Sequence, residues 1–241
     1  MRRVLKVLFL LLPWATLAHA QGIWINAASI IFSHRQGTQT SGGPGTSGSV
    51  VLANAPLQGD VVCLSLNGGT LTALTVKDAN NNVYAVSPHS PGTITGFNVW
   101  LACLANAPAG ASATINMSWT GSSQWAVWID DFTVQNGPAA FDTDAVQSNG
   151  TAGSSTALIT SPTITPSTPH ELLYAGAIPN SSLNAPLAGT PFGLWMGSAG
   201  SLGSGGLGMA EYILNASTPT AVDFLDSTAS DPYGAVAIAF K

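Results

Sequence analysis

The sequence predicts an all-β protein, on three observations. Apolar and polar residues alternate along many short segments, as where Ile115, Met117 and Trp119 interleave with polar neighbours. Turn-forming clusters such as Asn67-Gly68-Gly69 and Gly121-Ser122-Ser123 separate these segments, and no stretch shows a sustained helical period with capping residues. Period-two alternation is typical of strands with one buried face. We therefore expect a two-sheet antiparallel sandwich.

The first twenty residues have the features of a secretion signal. Basic residues occupy three of the first six positions, residues 4–12 are apolar apart from Lys6, and Ala18-His19-Ala20 matches a signal-peptidase site. Pro13 interrupts the apolar run, which is shorter than the roughly 20 residues of a membrane-spanning helix. The sequence thus predicts a signal peptide over residues 1–20, no membrane insertion, and a secreted protein, extracellular or periplasmic.

Residues 21–241 are expected to form one β-sandwich domain, since a single all-β domain can reach this length. The segment 137–169 is rich in Thr, Ser and Pro, as a linker would be, but the second half has few strands with which to close a core alone. Two Gly/Ser-rich segments, 37–49 and 197–208, are predicted to be loops.

The charge balance of residues 21–241 excludes some partners. Three basic residues stand against eleven acidic ones, a net charge of −8. Nucleic acids and anionic membranes are bound through clustered Lys and Arg, so neither is an expected partner. A surface made largely of Ser, Thr, Asn, Gln and Gly suits a neutral ligand, self-association or solvation alone.

Cys63 and Cys103 are the two cysteines of the chain, and each lies in a strand-like apolar run. A cysteine pair in an oxidising compartment favours a disulfide, with two buried free thiols as the alternative. The disulfide would close a loop with a sequence separation of 40, which would stabilise the fold by about 4 kcal/mol.

Several segments in order along the chain carry a family resemblance. They include Gly59-Asp60-Val61-Val62-Cys63, Asn98-Val99-Trp100-Leu101-Ala102, Glu171-Leu172-Leu173-Tyr174-Ala175-Gly176 and the closing Ala235-Val236-Ala237-Ile238-Ala239-Phe240-Lys241. The chain resembles secreted bacterial β-sandwich domains of a jelly-roll-like type, often found beside fibronectin type III or PKD modules. The resemblance implies a jelly-roll-like fold and a secreted setting, and it carries no catalytic residues to this chain.

Tryptophans are the leading candidates for ligand binding, because an exposed indole ring is a stacking platform for a sugar. Trp125 and Trp128 are an odd number of residues apart and should face opposite sides of a strand, so that one points outward unless both sides are buried. Trp100 and Trp195 lie in other strand-like segments. These four residues are the predicted ligand-binding set.

Acidic residues offer alternative chemistry. Asp142 and Asp144 are two apart and would face the same way, so with carbonyl oxygens they could bind a structural Ca²⁺; a solvated acidic loop is the alternative. No other cofactor is expected. Asp130 and Asp131 are consecutive and should point to opposite faces.

Catalytic motifs are missing from the sequence. There is no G-x-S-x-G motif, and His170-Glu171 begins a zinc-protease pattern that Tyr174 ends. Glu171 and Glu211, the two glutamates, would permit a two-carboxylate glycosidase. If cleavage followed Ala18, an N-terminal His19 with His34 or His89 would permit a copper site.

The sequence favours a secreted, non-catalytic module that binds a neutral polysaccharide or a cell-surface component. The alternatives are an extracellular carbohydrate-active enzyme that uses Glu171, Glu211 or the aspartates above, and a self-assembling structural surface protein. The sequence leaves the oligomeric state open.

Overall fold

The computed structural model describes residues 29–151, 158–179, 193–195, 209–225 and 232–241, so the predicted signal peptide and the 197–208 segment lie outside the described residues. The strands, in chain order, are β1 (Ile31–Val51), β2 (Val61–Gly69), β3 (Thr72–Asp78), β4 (Val83–Val86), β5 (Gly92–Ile94), β6 (Phe97–Leu104), β7 (Thr114–Gln135), β8 (Phe141–Thr151), β9 (Leu158–Thr160), β10 (Glu171–Pro179), β11 (Gly193–Trp195), β12 (Met209–Ala216), β13 (Asp223–Leu225) and β14 (Pro232–Phe240). These ranges contain no helix, which confirms the all-β prediction.

No helix of the length and apolarity needed to cross a bilayer occurs in the part of the chain that the structure describes.

The first sheet closes into a barrel. Its strands pair in the order β1-β7-β2-β6-β4-β3, and β3 pairs in addition with β7. β7 is 22 residues long, and its first part pairs with β3 while its later part pairs with β2. Gly121, at a φ of 98°, lies between the two parts. The sequence predicted a turn at Gly121-Ser122-Ser123, but the strand continues through it and closes the ring.

The Gly-rich segment 37–49 is strand rather than the predicted loop, and it pairs with β7 along most of its length. A Cβ added at Gly42 or Gly48 would lie 2.6 or 2.5 Å from the indole of Trp125. The missing side chains therefore make room for this ring, and the indole Nε1 of Trp119 donates to the Gly45 carbonyl at 2.9 Å. Composition alone suggested a loop because the packing partner lies some 80 residues away in sequence.

A second sheet, ordered β11-β12-β10-β14-β8, packs against one outer face of the barrel. Its other face is covered by the small β9–β13 sheet. All nine residues of β10 are buried, which is typical of a strand covered on both faces. The molecule thus has three hydrophobic layers, one inside the barrel, one between the barrel and the second sheet, and one beneath β9 and β13.

Two antiparallel sheets do face each other, as the sequence predicted, and every strand pairing among the described residues is antiparallel. One of the two is a closed barrel, whereas the predicted sandwich has two open sheets. The long, bent β7 accounts for the difference, because it supplies pairing positions for strands at both ends of the sheet.

The predicted disulfide between Cys63 and Cys103 is confirmed. The two residues lie directly opposite each other on the neighbouring strands β2 and β6. The bridge therefore fastens two strands of the barrel wall and does not join the two sheets. Both sulfur atoms lie on the side of the wall that faces the second sheet.

Candidate functional site

Three of the four tryptophans predicted to bind ligand lie in the core. Trp100, Trp125 and Trp128 have exposed fractions of 9, 7 and 1 %. Trp125 and Trp128 do face opposite sides of β7, one toward the barrel interior and the other toward the second sheet. Both sides of this wall are buried, so none of the three rings presents a face to solvent. The side chain of Trp195 lies outside the described residues.

Asp130 and Asp131 point to opposite sides of β7, as strand geometry predicted. Asp130 is fully buried between the sheets, where its Oδ1 lies 2.9 Å from Nε2 of His34 and its Oδ2 accepts a hydrogen bond from the Tyr174 hydroxyl at 3.0 Å. The ring of His34 stacks on Tyr212 with centroids 4.8 Å apart. Burial raises the pKa of Asp130 despite these hydrogen bonds. The cluster links the barrel to the second sheet.

Asp131 belongs to a second polar cluster, at one end of the barrel. Its Oδ2 accepts hydrogen bonds from Nη1 of Arg35 at 2.5 Å and from Nε2 of Gln36 at 2.8 Å. The same Arg35 nitrogen lies 3.7 Å from Oδ2 of Asp60, which in turn accepts from the backbone N–H of Leu57 at 2.8 Å. The guanidinium of Arg35 thus lies beside two buried carboxylates, those of Asp131 and Asp60. No local motif marks this cluster in the sequence, since its members lie up to 96 residues apart.

The pKa of Asp60 is raised to about 6. Burial is the main cause, and the neighbouring Asp131 adds to it, while the Leu57 N–H and Arg35 act in the opposite direction. An acid with a raised pKa binds its proton more tightly in the folded state than in the unfolded state. Asp60 therefore stabilises the fold fully below its ordinary pKa of 3.8, and this contribution is lost as the pH rises through about 6.

The raised pKa of Asp60 and the resulting pH dependence of stability can both be measured. In a carbon-13 NMR titration, the carboxyl signal of Asp60 should have its midpoint near pH 6. The Asp60→Asn variant keeps an acceptor for the Leu57 N–H, so its stability should fall less than that of the wild type between pH 4 and pH 7. An Asp60 midpoint at its ordinary value, with parallel stability curves for the two proteins, would contradict the assignment.

Asp142 and Asp144, the predicted calcium ligands, bind different partners. Asp142 accepts hydrogen bonds from Ser167 and lies 2.7 Å from Nζ of Lys241. Asp144 accepts from Ser87 and His89. Calcium takes about six to eight oxygen ligands, and carboxylates already engaged by protein donors are poor candidates. Within the described residues no group of three metal-ligating side chains occurs, so the geometry lends the calcium prediction no support.

Glu171 and Glu211, the two glutamates that the sequence offered for a glycosidase, lie on neighbouring strands of the second sheet. Both are buried, and Glu211 lies opposite Ala175, four residues along β10 from Glu171. At roughly 3.4 Å per residue, the two Cα atoms are offset by about 14 Å along the strand direction. Glu171 accepts hydrogen bonds from the backbone and hydroxyl of Thr168, and burial raises its pKa, with Asp142 adding to the effect.

An apolar groove lies where the barrel meets the edge of the second sheet. It has a volume of about 380 Å³. Its walls come from β4 and the end of β6 on one side and from β8 and β14 on the other, and they include Val83, Ala85, Leu104, Phe141, Ile238 and Phe240. Phe141 packs edge-on against Phe240 with ring centroids 6.4 Å apart. We call this feature the apolar groove.

Two apolar side chains of the apolar groove are open to solvent. The exposed fraction is 59 % for Val83 and 45 % for Phe141. Two further cavities of similar size differ from it in chemistry. One is lined in part by Thr168, His170 and Lys241, and the other by Asp142, Asp144 and threonines. The apolar groove thus combines the volume of a small-ligand site, roughly 300 to 1,000 Å³, with an apolar lining.

The chain matches no protein-family model, and no curated protein is significantly similar to it.

A histidine and an aspartate lie beside the apolar groove. Ser87 and Pro88 line it, and His89 follows directly. Nδ1 of His89 lies 2.7 Å from Oδ1 of Asp144, and the backbone N–H of His89 donates to Oδ2 at 3.0 Å. The Ser87 hydroxyl donates to the same Oδ2. The sequence predicted Asp144 as a calcium ligand, and no local motif marks its pairing with His89, which lies at a sequence separation of 55.

Proposed function

We propose that the protein is an exported, non-catalytic β-domain that binds a neutral ligand in the apolar groove. One observation carries the proposal: Val83 and Phe141 are exposed beside a concavity of ligand size with an apolar lining. Exposed apolar surface costs free energy in water, and contiguous patches of it commonly mark binding sites. A ligand that covers these side chains would recover that free energy.

The lining favours an uncharged, partly hydrocarbon ligand. Ser87 is the one lining residue with a polar hydroxyl side chain, and none of the lining residues is charged. An ion in such a groove would lose its hydration without a partner charge, at a cost of several kcal/mol. A hydrocarbon group gains roughly 25 cal/mol for each Å² removed from water.

Binding of a neutral polysaccharide or a cell-surface component remains the wider form of the proposal. Stacking on Trp100, Trp125 or Trp128 would need these buried rings to reach the surface, so a sugar platform would depend on Trp195. The apolar groove is the better supported site. For the enzyme alternative, Asp130, Asp131, Asp142, Asp144 and Glu171 each accept hydrogen bonds from protein donors, and Asp142 lies close enough to Glu171 to raise its pKa.

Export is part of the proposal. It is supported by the signal-like residues 1–20 and by the disulfide, which is stable in oxidising compartments. The resemblance to secreted jelly-roll-like domains points the same way and remains a prediction. Intact mass of the secreted protein would test it, with a chain that begins at Gln21 as the expected result.

The binding proposal is tested with N-phenyl-1-naphthylamine, a neutral apolar dye whose fluorescence rises on leaving water. We expect saturable binding to the wild type and about 10-fold weaker binding to Val83→Ser and Phe141→Ser, because each loses apolar contact area. Val51→Ser and Leu57→Ser are matched controls, since these side chains are similarly exposed but lie outside the groove. Absence of saturable binding, or equal losses in the controls, would refute the proposal.

A further inference from the structure

We infer that the ligand of the apolar groove is a neutral amphiphile whose hydroxyl group is bound by the Nε2 atom of His89. The inference rests on the proposed function and adds the chemical class of the ligand. It is carried by the position and geometry of the His89–Asp144 pair, which the binding proposal does not use.

The pair holds the imidazole ring in one orientation. The side chain of Asp144 is 4 % exposed and that of His89 is 61 % exposed, so a buried carboxylate anchors a ring that reaches solvent. Burial opposes ionisation of Asp144, but the hydrogen bonds from Ser87 and from the backbone and ring of His89 outweigh it and lower its pKa. An ionised carboxylate only accepts hydrogen bonds, so Nδ1 carries the proton.

The proposal takes His89 as the neutral ring. In a neutral imidazole with a proton on Nδ1, the Nε2 atom is an acceptor. A ligand hydroxyl can donate to it, whereas a carboxylate presents no proton and would approach the charge of Asp144. An ammonium group would have to be desolvated beside apolar walls that offer it no partner. A hydroxyl is therefore the headgroup that suits both the His89–Asp144 pair and the apolar groove.

The pair and the groove meet at Ser87 and Pro88. Ser87 both lines the groove and donates to Asp144, and Pro88 leads from the groove wall to His89. On the opposite wall, Asp144 follows Phe141 by three residues along β8. The proposal places the hydrocarbon part of the ligand against Phe141 and Val83 and its hydroxyl group at His89, which follows the lining residue Pro88.

The test compares two isomers of equal atom count, 1-octanol and 1-methoxyheptane, as competitors of N-phenyl-1-naphthylamine. The alcohol can donate a hydrogen bond and the ether cannot. We expect His89→Ala to weaken octanol about fivefold, the worth of one hydrogen bond, and to leave the ether and the dye unchanged. His170→Asn is the matched control, because it removes an exposed histidine far along the chain and keeps a residue suited to the φ of 70° found there.

The outcomes separate the two proposals. If the wild type binds the dye, and His89→Ala binds octanol as tightly as the wild type does, the hydroxyl inference alone is overturned. Equal weakening of octanol and ether by His89→Ala also overturns it, since the residue would then act through shape and not through a hydrogen bond. If the wild type does not bind the dye, the proposed function fails and the inference fails with it.

Discussion

Replacing Cys63 and Cys103 together by alanine is expected to lower the free energy of unfolding by about 4 kcal/mol. The disulfide closes a loop with a sequence separation of 40, and its loss releases that constraint in the unfolded chain. Both cysteines are also buried, so their removal leaves small gaps between the barrel and the second sheet. Urea unfolding followed by tryptophan fluorescence measures the change.

The control for this experiment is the wild type unfolded in the presence of a reductant. If the bridge carries the effect, reduction should destabilise the wild type by a similar amount and leave the double alanine variant unchanged. A loss below about 1 kcal/mol in both comparisons would show that the pairing across β2 and β6 holds these strands without the bridge.

The second large effect is expected at Arg35. Changing it to glutamine removes the positive charge that lies beside both Asp131 and Asp60, and it leaves two buried carboxylates without a compensating charge. Breaking a buried ion pair by removing one partner costs about 3 kcal/mol or more. The variant should lose about this much stability at pH 8, and the pKa of Asp60 should rise further.

Lys77→Gln provides the matched control, because Lys77 is exposed on β3 and its loss should change stability by less than about 0.5 kcal/mol.

The double variant Arg35→Gln/Asp131→Asn tests whether the two charges are coupled. Removing one of the two carboxylates should recover part of the loss, which a double-mutant cycle reports as a coupling energy. Additive effects of the two substitutions would mean that the cluster at the barrel end is not electrostatically coupled.

Local patterns predicted the parts of this structure that depend on neighbouring residues. Period-two alternation correctly gave the all-β class and the opposite directions of Trp125 and Trp128, because side chains alternate across any strand. The cysteine count gave the disulfide. What these patterns could not show is that both faces of β7 are covered, and so an odd spacing did not place a tryptophan at the surface.

The remaining features arise from contacts between distant segments. Segment 37–49 reads as a loop by composition and becomes strand because Trp125 packs over its glycines. Arg35 meets Asp131 only after β1 and β7 pair. The apolar groove joins β4, β6, β8 and β14, four strands that share no motif in the sequence. Each of these depends on the register of paired strands, which a single sequence does not specify.

The central claim is that the apolar groove is a ligand site, and the most direct measurement is an isotope-filtered NMR experiment on the labelled protein with 1-octanol. We predict nuclear Overhauser contacts from the octanol methylene protons to the methyl groups of Val83 and Ile238 and to the ring of Phe141. Contacts that instead involve Val51 and Leu57, or no contacts at saturating octanol, would contradict the claim.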